Sequence, residues 1–472
     1  MKRLGQKSDL SKGLMAELVR LMEREVQQAA KGTFAQWEVQ ALRIADEVVR
    51  RCLKQELQRR ADEVGDEVEV KGRRYRKHQP GTAIYHSLCG PLRIRRWTYR
   101  QVGVRNGPTI VPAEMVAGLV QSATPALAVS VTVAYSRSHM RQHKDALQHA
   151  CRNPPSRSTL ERIAKRIGAD AKACLVEIEA SLRKSETLPV GTRGLVMSFD
   201  RTGVPMAEKP TEEDAWISHR RTPYERKAPL PVVVKYRMAY AASVVFTDEQ
   251  GEAIAVRRYA MAAHEDRDRI AARVSDDVGC ALKENPRLLL GAVQDGAPEM
   301  WGLAWSIRDR FRPNRNRWFE AIDYYHLMEH LAVLLERVVP NKEKRRRRLD
   351  GWKRLIIDDR RALGRISRWL DKQCHRLRKS DHWRLEYLAH NFYANQFDYQ
   401  TMRAKRLPIG SGAVEAVCKT VIKHRTNGGG QRWSRPGLEA VLALRSLDQS
   451  DRLPRFWNRF SRRYAPQIRA VA

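Results

Sequence analysis

The segment Gly194-Leu-Val-Met-Ser-Phe-Asp200 is a short apolar run that ends in a carboxylate, and the pattern around it decides the fold. A polar loop rich in charges and prolines follows, at residues 201–231. Two further apolar runs lie at residues 232–246 and 253–262, with the turn-like Thr247-Asp-Glu-Gln-Gly251 between them. Apolar runs of this length, bounded by turn residues, predict three successive strands joined as hairpins.

Beyond these strands the pattern alternates between helix and strand. The predicted elements are a helix at 264–283, a strand at 288–294, a helix at 298–311 and a strand at 318–322. Such alternation indicates parallel crossovers, so we expect an α/β protein with a mixed sheet. Residues 324–399 are predicted to be helical, and Pro408-Ile-Gly-Ser-Gly412 is predicted to be a turn that starts a further helix.

The N-terminal part combines helices with a small β unit. Apolar residues at helical spacing predict two helices within residues 14–61, broken at Gly32-Thr33. Short alternating segments within residues 68–104 predict an antiparallel unit with turns at Gly72, Pro80-Gly81 and Gly90-Pro91. Helices are expected again over residues 112–182.

A possible DNA-binding motif lies within residues 139–167. A helix is followed by Pro154-Pro155-Ser156 and then by a second helix, capped by a Ser or Thr, that begins near Ser158. In a helix-turn-helix reading, the cations of the second helix would contact DNA, namely Arg157, Arg162, Lys165 and Arg166. Ordinary pairing of two structural helices fits the same pattern.

Composition restricts the class of partner. The 472 residues include 88 Lys and Arg against 54 Asp and Glu, a net charge of +34, and 42% are hydrophobic. Such a chain can bury ordinary cores, in about three domains, and its charge favours a polyanion such as DNA or RNA. No apolar stretch approaches a spanning helix, no signal core follows the N-terminus, and seven scattered cysteines without a Cys-x-x-Cys pair fit a reducing cytosol.

Three carboxylates are candidates for chemistry. Asp200 and Asp295 each follow an apolar strand, and Glu415 lies near the start of the helix after the glycine-rich turn. In-line cleavage or joining of a phosphodiester uses two divalent ions roughly 4 Å apart, held by hard oxygen ligands. The alternative is that each residue simply caps its element. Asp323 also ends a predicted strand and competes with Asp295 for the second position.

A different metal pattern occurs at His326-Leu-Met-Glu-His330. It matches the His-x-x-Glu-His sequence of inverted zinc metallopeptidases, with both imidazoles on one helical face. A peptidase would require a third ligand, and it would not account for the net charge of +34. Packed or surface positions for these histidines are the simpler interpretation.

At the carboxylates the sequence resembles the DDE transposases of bacterial insertion sequences, most closely the Kra family, relatives of the Mutator-like group. The resemblance covers residues 190–450. Its motifs are Phe199-Asp-Arg-Thr-Gly-Val-Pro-Met206, Gln294-Asp-Gly-Ala-Pro-Glu-Met-Trp301, Ile322-Asp-Tyr-Tyr-His-Leu-Met-Glu-His330 and Ile409-Gly-Ser-Gly-Ala-Val-Glu-Ala-Val-Cys-Lys-Thr420. Relatives have Asp-Gly-Thr-Gly at the first motif, whereas Arg201 replaces the first glycine here.

The resemblance implies a ribonuclease H-like core with a helical insertion. Asp200 would bridge two Mg²⁺ ions, with Mn²⁺ as a substitute, and Asp295 and Glu415 would complete one site each. The implied reaction is hydrolysis at transposon ends and then transfer of the freed 3′-hydroxyl into target DNA. Asp323 and His326 would have an accessory role, because the resembling group carries an Asp- or Cys-x-x-His motif after the second catalytic Asp.

The segment after Glu415 is expected to contact DNA near the scissile phosphate. Its cations and aromatic ring are Lys419, Lys423, Arg425, Arg432 and Trp433. A solvated surface helix is the alternative, and Lys419 also forms a four-residue pair with Glu415. We expect homo-oligomers assembled on DNA, no membrane association, and a location in the bacterial cytoplasm at the nucleoid.

Two other functions remain open from the sequence. One is a catalytically impaired DNA-binding protein derived from a transposase, for which Arg201 is the argument, and the other is a nuclease without strand transfer. We expect a helical and small-β N-terminal region that binds DNA, ahead of the ribonuclease H-like core. The predicted organisation is N-terminal helices and β unit (1–110), a helical region with the possible helix-turn-helix (111–185), the first part of the core (190–330), the helical insertion (331–405), the Glu-bearing part of the core (406–450) and a basic tail (451–472).

Overall fold

The computed structural model describes residues 12–29, 32–214, 232–262 and 267–471. The chain divides into two compact units, of which unit 1 is Met1–Leu182 with Asp451–Ala472 and unit 2 is Arg183–Ser450. None of the described helices is both long and apolar enough to cross a membrane. Much of the predicted loop (215–231) and part of one predicted helix (264–266) lie outside the described residues.

Unit 1 places helices around an antiparallel sheet. Its helices are α1 (Lys12–Ala29), α2 (Phe34–Asp62), α3 (Pro112–Val116), α4 (Pro125–Arg137), α5 (Met140–His149), α6 (Arg157–Ala173), α7 (Leu175–Ser185), which runs on into unit 2, and α18 (Leu453–Phe460). Its strands are β1 (Glu67–Val70), β2 (Arg73–Ser87), β3 (Gly90–Gln101), β4 (Thr109–Ile110) and β10 (Ile468–Ala470), in the spatial order β10-β1-β2-β3-β4.

Two features of unit 1 differ from the sequence predictions. The predicted turn at Pro80-Gly81 lies inside β2, where these residues pair with Trp97 and Arg96 of β3 and a register shift precedes them. Pro is tolerated there because a bulged, exposed strand does not need every backbone N–H. The predicted basic tail instead forms α18 and β10, and β10 pairs with β1.

Unit 2 contains the mixed sheet. Its strands are β5 (Gly194–Glu208), β6 (Val233–Thr247), β7 (Ala253–Met261), β8 (Leu289–Gln294) and β9 (Trp318–Ile322). Their order is β7-β6-β5-β8-β9, with β5, β6 and β7 antiparallel and β5, β8 and β9 parallel. The predicted mixed sheet, with hairpins first and crossovers afterwards, is confirmed.

The helices of unit 2 follow the strand ends. They are α8 (Asp268–Glu284), α9 (Pro298–Phe311), α10 (Tyr324–Val338), α11 (Lys342–Asp358), α12 (Ala362–Asp371), α13 (His382–Tyr393), α14 (Tyr399–Ala404), α15 (Gly412–Ala416), a π-helix (Val417–Lys423), α16 (His424–Thr426) and α17 (Arg435–Asp448). We call the continuous segment 412–426 the Glu helix. Its apolar side, with that of α17, packs against the outer parts of β5 and β6.

Candidate active site

Asp200 lies inside a strand and not at its end, which corrects the sequence prediction. β5 continues to Glu208, because every residue of β5, including the polar ones after Asp200, is paired with a residue of the antiparallel strand β6. Only the first part of β5 also pairs with β8, from Gly194↔Leu289 to Met197↔Ala292. Asp200 therefore lies just beyond the point where the parallel pairing stops.

The register of this pairing brings Asp200 and Asp295 to the same edge. Gly194 pairs with Leu289, an offset of 95 residues, and Asp295 follows Asp200 by the same number. The backbone N–H of Phe199 donates to Oε1 of Gln294 at 2.9 Å, which continues the alignment one residue short of the two carboxylates. Neighbouring strands lie about 4.8 Å apart, so equal register is what brings these residues together.

The surroundings of Asp200 include both other candidate carboxylates. Its pKa is raised, first by burial and further by the charges of Asp295 and Glu415. Two hydrogen bonds oppose the shift, from the backbone N–H of Arg201 at 2.6 Å and from Sγ of Cys418 at 3.2 Å. Asp295 and Glu415 are therefore each near enough to Asp200 to disfavour its charged form, although they are far from it in sequence.

Glu415 is exposed on one side of the Glu helix, and packing of the other, buried side of this helix fixes its position. The buried residues Val414, Val417 and Val421 pack against β5 and β6 in one apolar cluster. Oε2 of Glu415 lies 3.0 Å from Nζ of Lys419, a four-residue ion pair on an exposed surface. The π-helical turn begins two residues after Glu415, and such turns occur frequently at functional sites.

Asp295 is held at the end of β8 by its own turn and by the helical insertion. Its Oδ1 accepts the backbone N–H of Ala297 at 2.9 Å. Its backbone carbonyl accepts the hydroxyl of Tyr387, on α13, at 2.8 Å. Gly296 has φ +97°, and a Cβ there would lie 2.4 Å from the Tyr387 ring, so only glycine fits.

Asp323 is a structural clamp, which removes it as a competitor for the second metal position. The residue is 1% exposed. Its Oδ1 accepts the backbone N–H groups of Tyr325 (2.6 Å) and His326 (3.1 Å), which caps α10. Its Oδ2 accepts the backbone N–H of Ser411 at 2.7 Å and also the Ser411 hydroxyl. The start of the Glu helix is thereby fastened to the end of β9.

His326 and His330 interact with each other and with the insertion. Their Nε2 atoms lie 3.0 Å apart, and Arg384 contacts Nδ1 of His330. Burial, with smaller contributions from His326 and Arg384, lowers the pKa of His330 to about 4. His330 is therefore neutral near pH 7, as a packed residue. The zinc-peptidase alternative gains no support, because Glu329 is exposed and no third ligand joins the pair in the described part of the chain.

The described residues contain no group of three or more His, Cys, Asp or Glu that could hold a metal ion. Asp200, Asp295 and Glu415 are thus neighbours without forming a closed set of ligands. Their chemistry fits a hard divalent cation, since all three offer carboxylate oxygens and a cation would relieve the repulsion felt by Asp200. The contact with Lys419 uses Oε2 of Glu415 and would compete with an ion for this carboxylate.

Arg201, the residue that replaces glycine in the first motif, lies away from the carboxylates. Alternate side chains of a strand point to opposite faces, so Arg201 is on the face opposite Asp200. Its Nη1 lies 2.5 Å from Oε2 of Glu299 on α9. Glu299 also accepts the hydroxyl of Tyr240, which pairs with Arg201 across β5 and β6, and this bond is the main reason for the lowered pKa of Glu299.

The predicted DNA contacts after Glu415 divide into exposed and buried residues. Lys419, Lys423 and Arg432 are exposed. Arg425 is only 3% exposed, with its guanidinium 5.6 Å from the centre of the Trp433 ring, so its predicted contact with phosphate stays a prediction that this burial does not favour. The Glu helix turns this side chain inward. Trp433 is half-buried, and its backbone is hydrogen-bonded to β5, which leaves only part of its ring for stacking on a base.

In unit 1 the second helix of the proposed helix-turn-helix is α6. Ser156 caps it by accepting the backbone N–H of Thr159, and the cations Arg157, Arg162, Lys165 and Arg166 are all exposed. Their contact with DNA stays a prediction. Sequence reasoning missed Cys418 as a neighbour of Asp200; its three-residue spacing from Glu415, which places both on one helical side, was the available signal.

Comparison with known proteins gives little. No protein-family model matches the chain, and no curated protein matches it. Among solved structures, the Drosophila P element transposase strand transfer complex is similar at 10% sequence identity, covering 72% of this chain and 80% of that chain, with a TM-score of 0.26. A similarity of this size decides neither fold nor function.

Proposed function

We propose that this protein is a DDE-type DNA transposase, which hydrolyses DNA at transposon ends and transfers the 3′-hydroxyl into target DNA. The observation that carries the proposal is geometric: the register of β5 and β8 aligns Asp200 with Asp295, and Cys418, three residues after Glu415, donates a hydrogen bond to Asp200. These are the carboxylates that the sequence motifs select. Neighbouring carboxylates at a sheet edge are what a site for divalent cations requires.

The sheet supports a ribonuclease H-like core. Numbered by their order in the chain, the five strands lie side by side as 3-2-1-4-5. The second strand, β6, is antiparallel to the first, β5, whereas β5, β8 and β9 are parallel. The proposed catalytic residues then lie on the first strand, after the fourth strand and on a helix behind the insertion. This arrangement follows the order that the sequence resemblance implies.

The proposal assigns a role to each residue of the candidate site. Asp200, Asp295 and Glu415 would hold two Mg²⁺ or Mn²⁺ ions, which would activate the attacking oxygen and stabilise the leaving oxygen. Lys419, which is exposed and pairs with Glu415, would bind phosphate. Asp323 positions Glu415 by holding Ser411, four residues before it. The cationic excess of the chain binds the DNA backbone, and we expect assembly as a homo-oligomer on DNA in the bacterial cytoplasm.

The experiment compares Asp200→Asn with Asp309→Asn, an exposed control in unit 2 that removes the same charge. Each purified chain is incubated with Mg²⁺ or Mn²⁺ and a duplex carrying the sequences that flank its own gene. We expect the wild type and Asp309→Asn to cleave, and Asp200→Asn to bind this DNA with unchanged affinity without cleaving it. Cleavage by Asp200→Asn at the wild-type rate would refute the proposal.

A catalytically impaired DNA-binding protein is the second candidate, and one observation favours it. Glu415 is paired with Lys419, and the described residues include no complete metal-binding group. Binding of flanking DNA by the wild type with no cleavage in either metal would favour this candidate. Cleavage without joining of the 3′ end to a target plasmid would instead identify a nuclease.

A further inference from the structure

The long hairpin of β2 and β3 in unit 1 is unusually one-sided in charge. Its 27 strand residues contain eight Lys and Arg and no Asp or Glu. Four of the cations are on β2 and four on β3, the latter being Arg93, Arg95, Arg96 and Arg100. The strand β3 alone, at 12 residues, is about 40 Å long, which exceeds one turn of a DNA duplex.

The two ends of this hairpin differ in how their charge is used. Near β1, Arg74 and Arg76 pair with Glu67, and Lys77 pairs with Asp66. Toward the other end, Arg93 and Arg95 are exposed, and neither forms an ion pair with any acidic residue in the described part of the chain. Among the described residues, the hairpin cations without an ion pair to an acidic residue are Arg93, Arg95 and Arg96 on the second half, against Arg73 and Arg100 at the β1 end.

The exposed residues of this half form one surface, which we call the ribbon face. Residues directly opposite in an antiparallel pair share a face, and the register pairs Ile84 with Arg93, Thr82 with Arg95, and Pro80 with Trp97. Ile84 is 48% and Trp97 39% exposed. The ribbon face thus presents two arginines with an aromatic and an aliphatic side chain between and beside them.

The spacing on the ribbon face suits a nucleic-acid backbone. Alternate residues of a strand are about 6.7 Å apart, which corresponds to a rise of two base steps along the axis of a DNA duplex at ~3.4 Å each. A cavity of about 520 Å³ opens beside this face and is lined by Arg95, Arg96 and Trp97, with Asp62 as the acidic residue of its lining.

We propose that the ribbon face is a docking surface for duplex DNA, in which Arg93 and Arg95 bind backbone phosphates and Trp97 packs beside them. A two-stranded β-ribbon has the width that the major groove admits, which favours a duplex over a single strand. The choice of DNA rests on the proposed function, whereas the polyanion itself follows from the charge distribution on the hairpin. The ribbon face contains no residue of α6 and none of the carboxylates of unit 2.

The test measures binding of the full chain to a 30-base-pair duplex of arbitrary sequence, in EDTA, as a function of salt. Arg93→Gln/Arg95→Gln is compared with Arg51→Gln/Arg59→Gln, which removes the same charge from exposed arginines of α2 that are already paired with glutamates. Losing two phosphate contacts should reduce the slope of log K against log salt by about 1.8, and affinity at ~0.1 M salt by roughly 60-fold. The control should change the slope by less than about 0.5.

Three results would overturn the inference. Equal loss in both double variants would mean that only net charge matters, and no loss in either would mean that the ribbon face is not used. Tighter binding of single-stranded DNA, duplex RNA or polyglutamate, with the same dependence on Arg93 and Arg95, would assign a different partner. Arg93→Lys/Arg95→Lys should keep most of the salt slope, which guards against misfolding as the cause. None of these outcomes depends on cleavage, so failure here leaves the Asp200 test intact.

Discussion

Replacing Asp323 with Asn should separate the positioning of Glu415 from the metal chemistry. The Asn side chain can still cap α10 through its oxygen, so the bonds from Tyr325 and His326 are kept. Its amide nitrogen, however, would face the backbone N–H of Ser411, which now donates to Oδ2 of Asp323 at 2.7 Å. Two donors would then meet in a place where Ser411 is 7% exposed.

The expected magnitude follows from these bonds. A buried N–H without an acceptor costs about 1–3 kcal/mol, and loss of the charge-assisted bond adds to this, so the free energy of unfolding should fall by about 3 kcal/mol. For a unit of this size, that corresponds to a melting temperature roughly 6–12 °C lower. Ser411 would move away, and Glu415 with it, so cleavage should fall on the order of 100-fold even at temperatures where the variant is folded.

The assay is thermal unfolding followed by circular dichroism, together with cleavage measured well below the melting temperature. Asp398→Asn is the matched control, because Asp398 caps α14 by accepting the N–H of Thr401 and does not contact the Glu helix. It should lose stability through its pairing with Arg360 and retain cleavage. An Asp323→Asn variant that is destabilised but cleaves at the control rate would refute the positioning role.

Three other predictions concern the residues around the carboxylates. The pKa of Asp200 is raised in the folded chain, so without metal its charge destabilises the fold as pH rises above the ordinary Asp value. Asp200→Asn should therefore melt higher than wild type in EDTA at pH 7, with the difference vanishing toward pH 3. Calorimetry should show that Mg²⁺ stabilises the wild type and does not stabilise Asp200→Asn. Lys419→Met should change the free energy of unfolding by less than about 0.5 kcal/mol, since its ion pair with Glu415 is exposed. The variant should bind Mn²⁺ more tightly in calorimetry, because Lys419 no longer competes for the carboxylate of Glu415. Unchanged Mn²⁺ affinity would argue against a metal at Glu415. Arg425→Ala should lower the free energy of unfolding by about 3 kcal/mol, because the Arg425 side chain is buried. Arg432→Ala should leave the melting temperature unchanged and reduce DNA affinity. Equal melting temperatures of the two variants would contradict the burial of Arg425.

The sequence predicted the strands and helices of unit 2 well because their periodicity is local. Helix 298–311 and strand 318–322 have the predicted bounds, and the mixed sheet follows from the order of the elements. The position of Asp200 was less predictable. β5 continues past Asp200 through charged residues, Gly203 and Pro205, which have low strand propensity. This part of the strand can be predicted only when its partner β6 is known, since pairing with β6 stabilises it.

The roles of Asp323 and Arg425 depended on contacts that no local pattern encodes. Asp323 was recognised as the end of a strand, but its partner Ser411 is 88 residues away and is brought near by the helical insertion. Arg425 lies after a π-helical turn, which shifts the side-chain positions of the Glu helix from those of a regular α-helix. Arg201 was more accessible to reasoning, because strand alternation alone places it on the face opposite Asp200 once β5 is extended.

The pairing of β10 with β1 has a consequence for synthesis on the ribosome. Val68 of β1 finds its neighbour Ala470 only after about 400 further residues have been made, which takes roughly 20–80 s at ~5–20 residues per second. During that interval one edge of the first sheet has unsatisfied backbone groups and is open to pairing with other nascent chains. The yield of folded protein should therefore rise at lower growth temperature and with additional chaperones. Removing residues 468–471 should send the product into inclusion bodies.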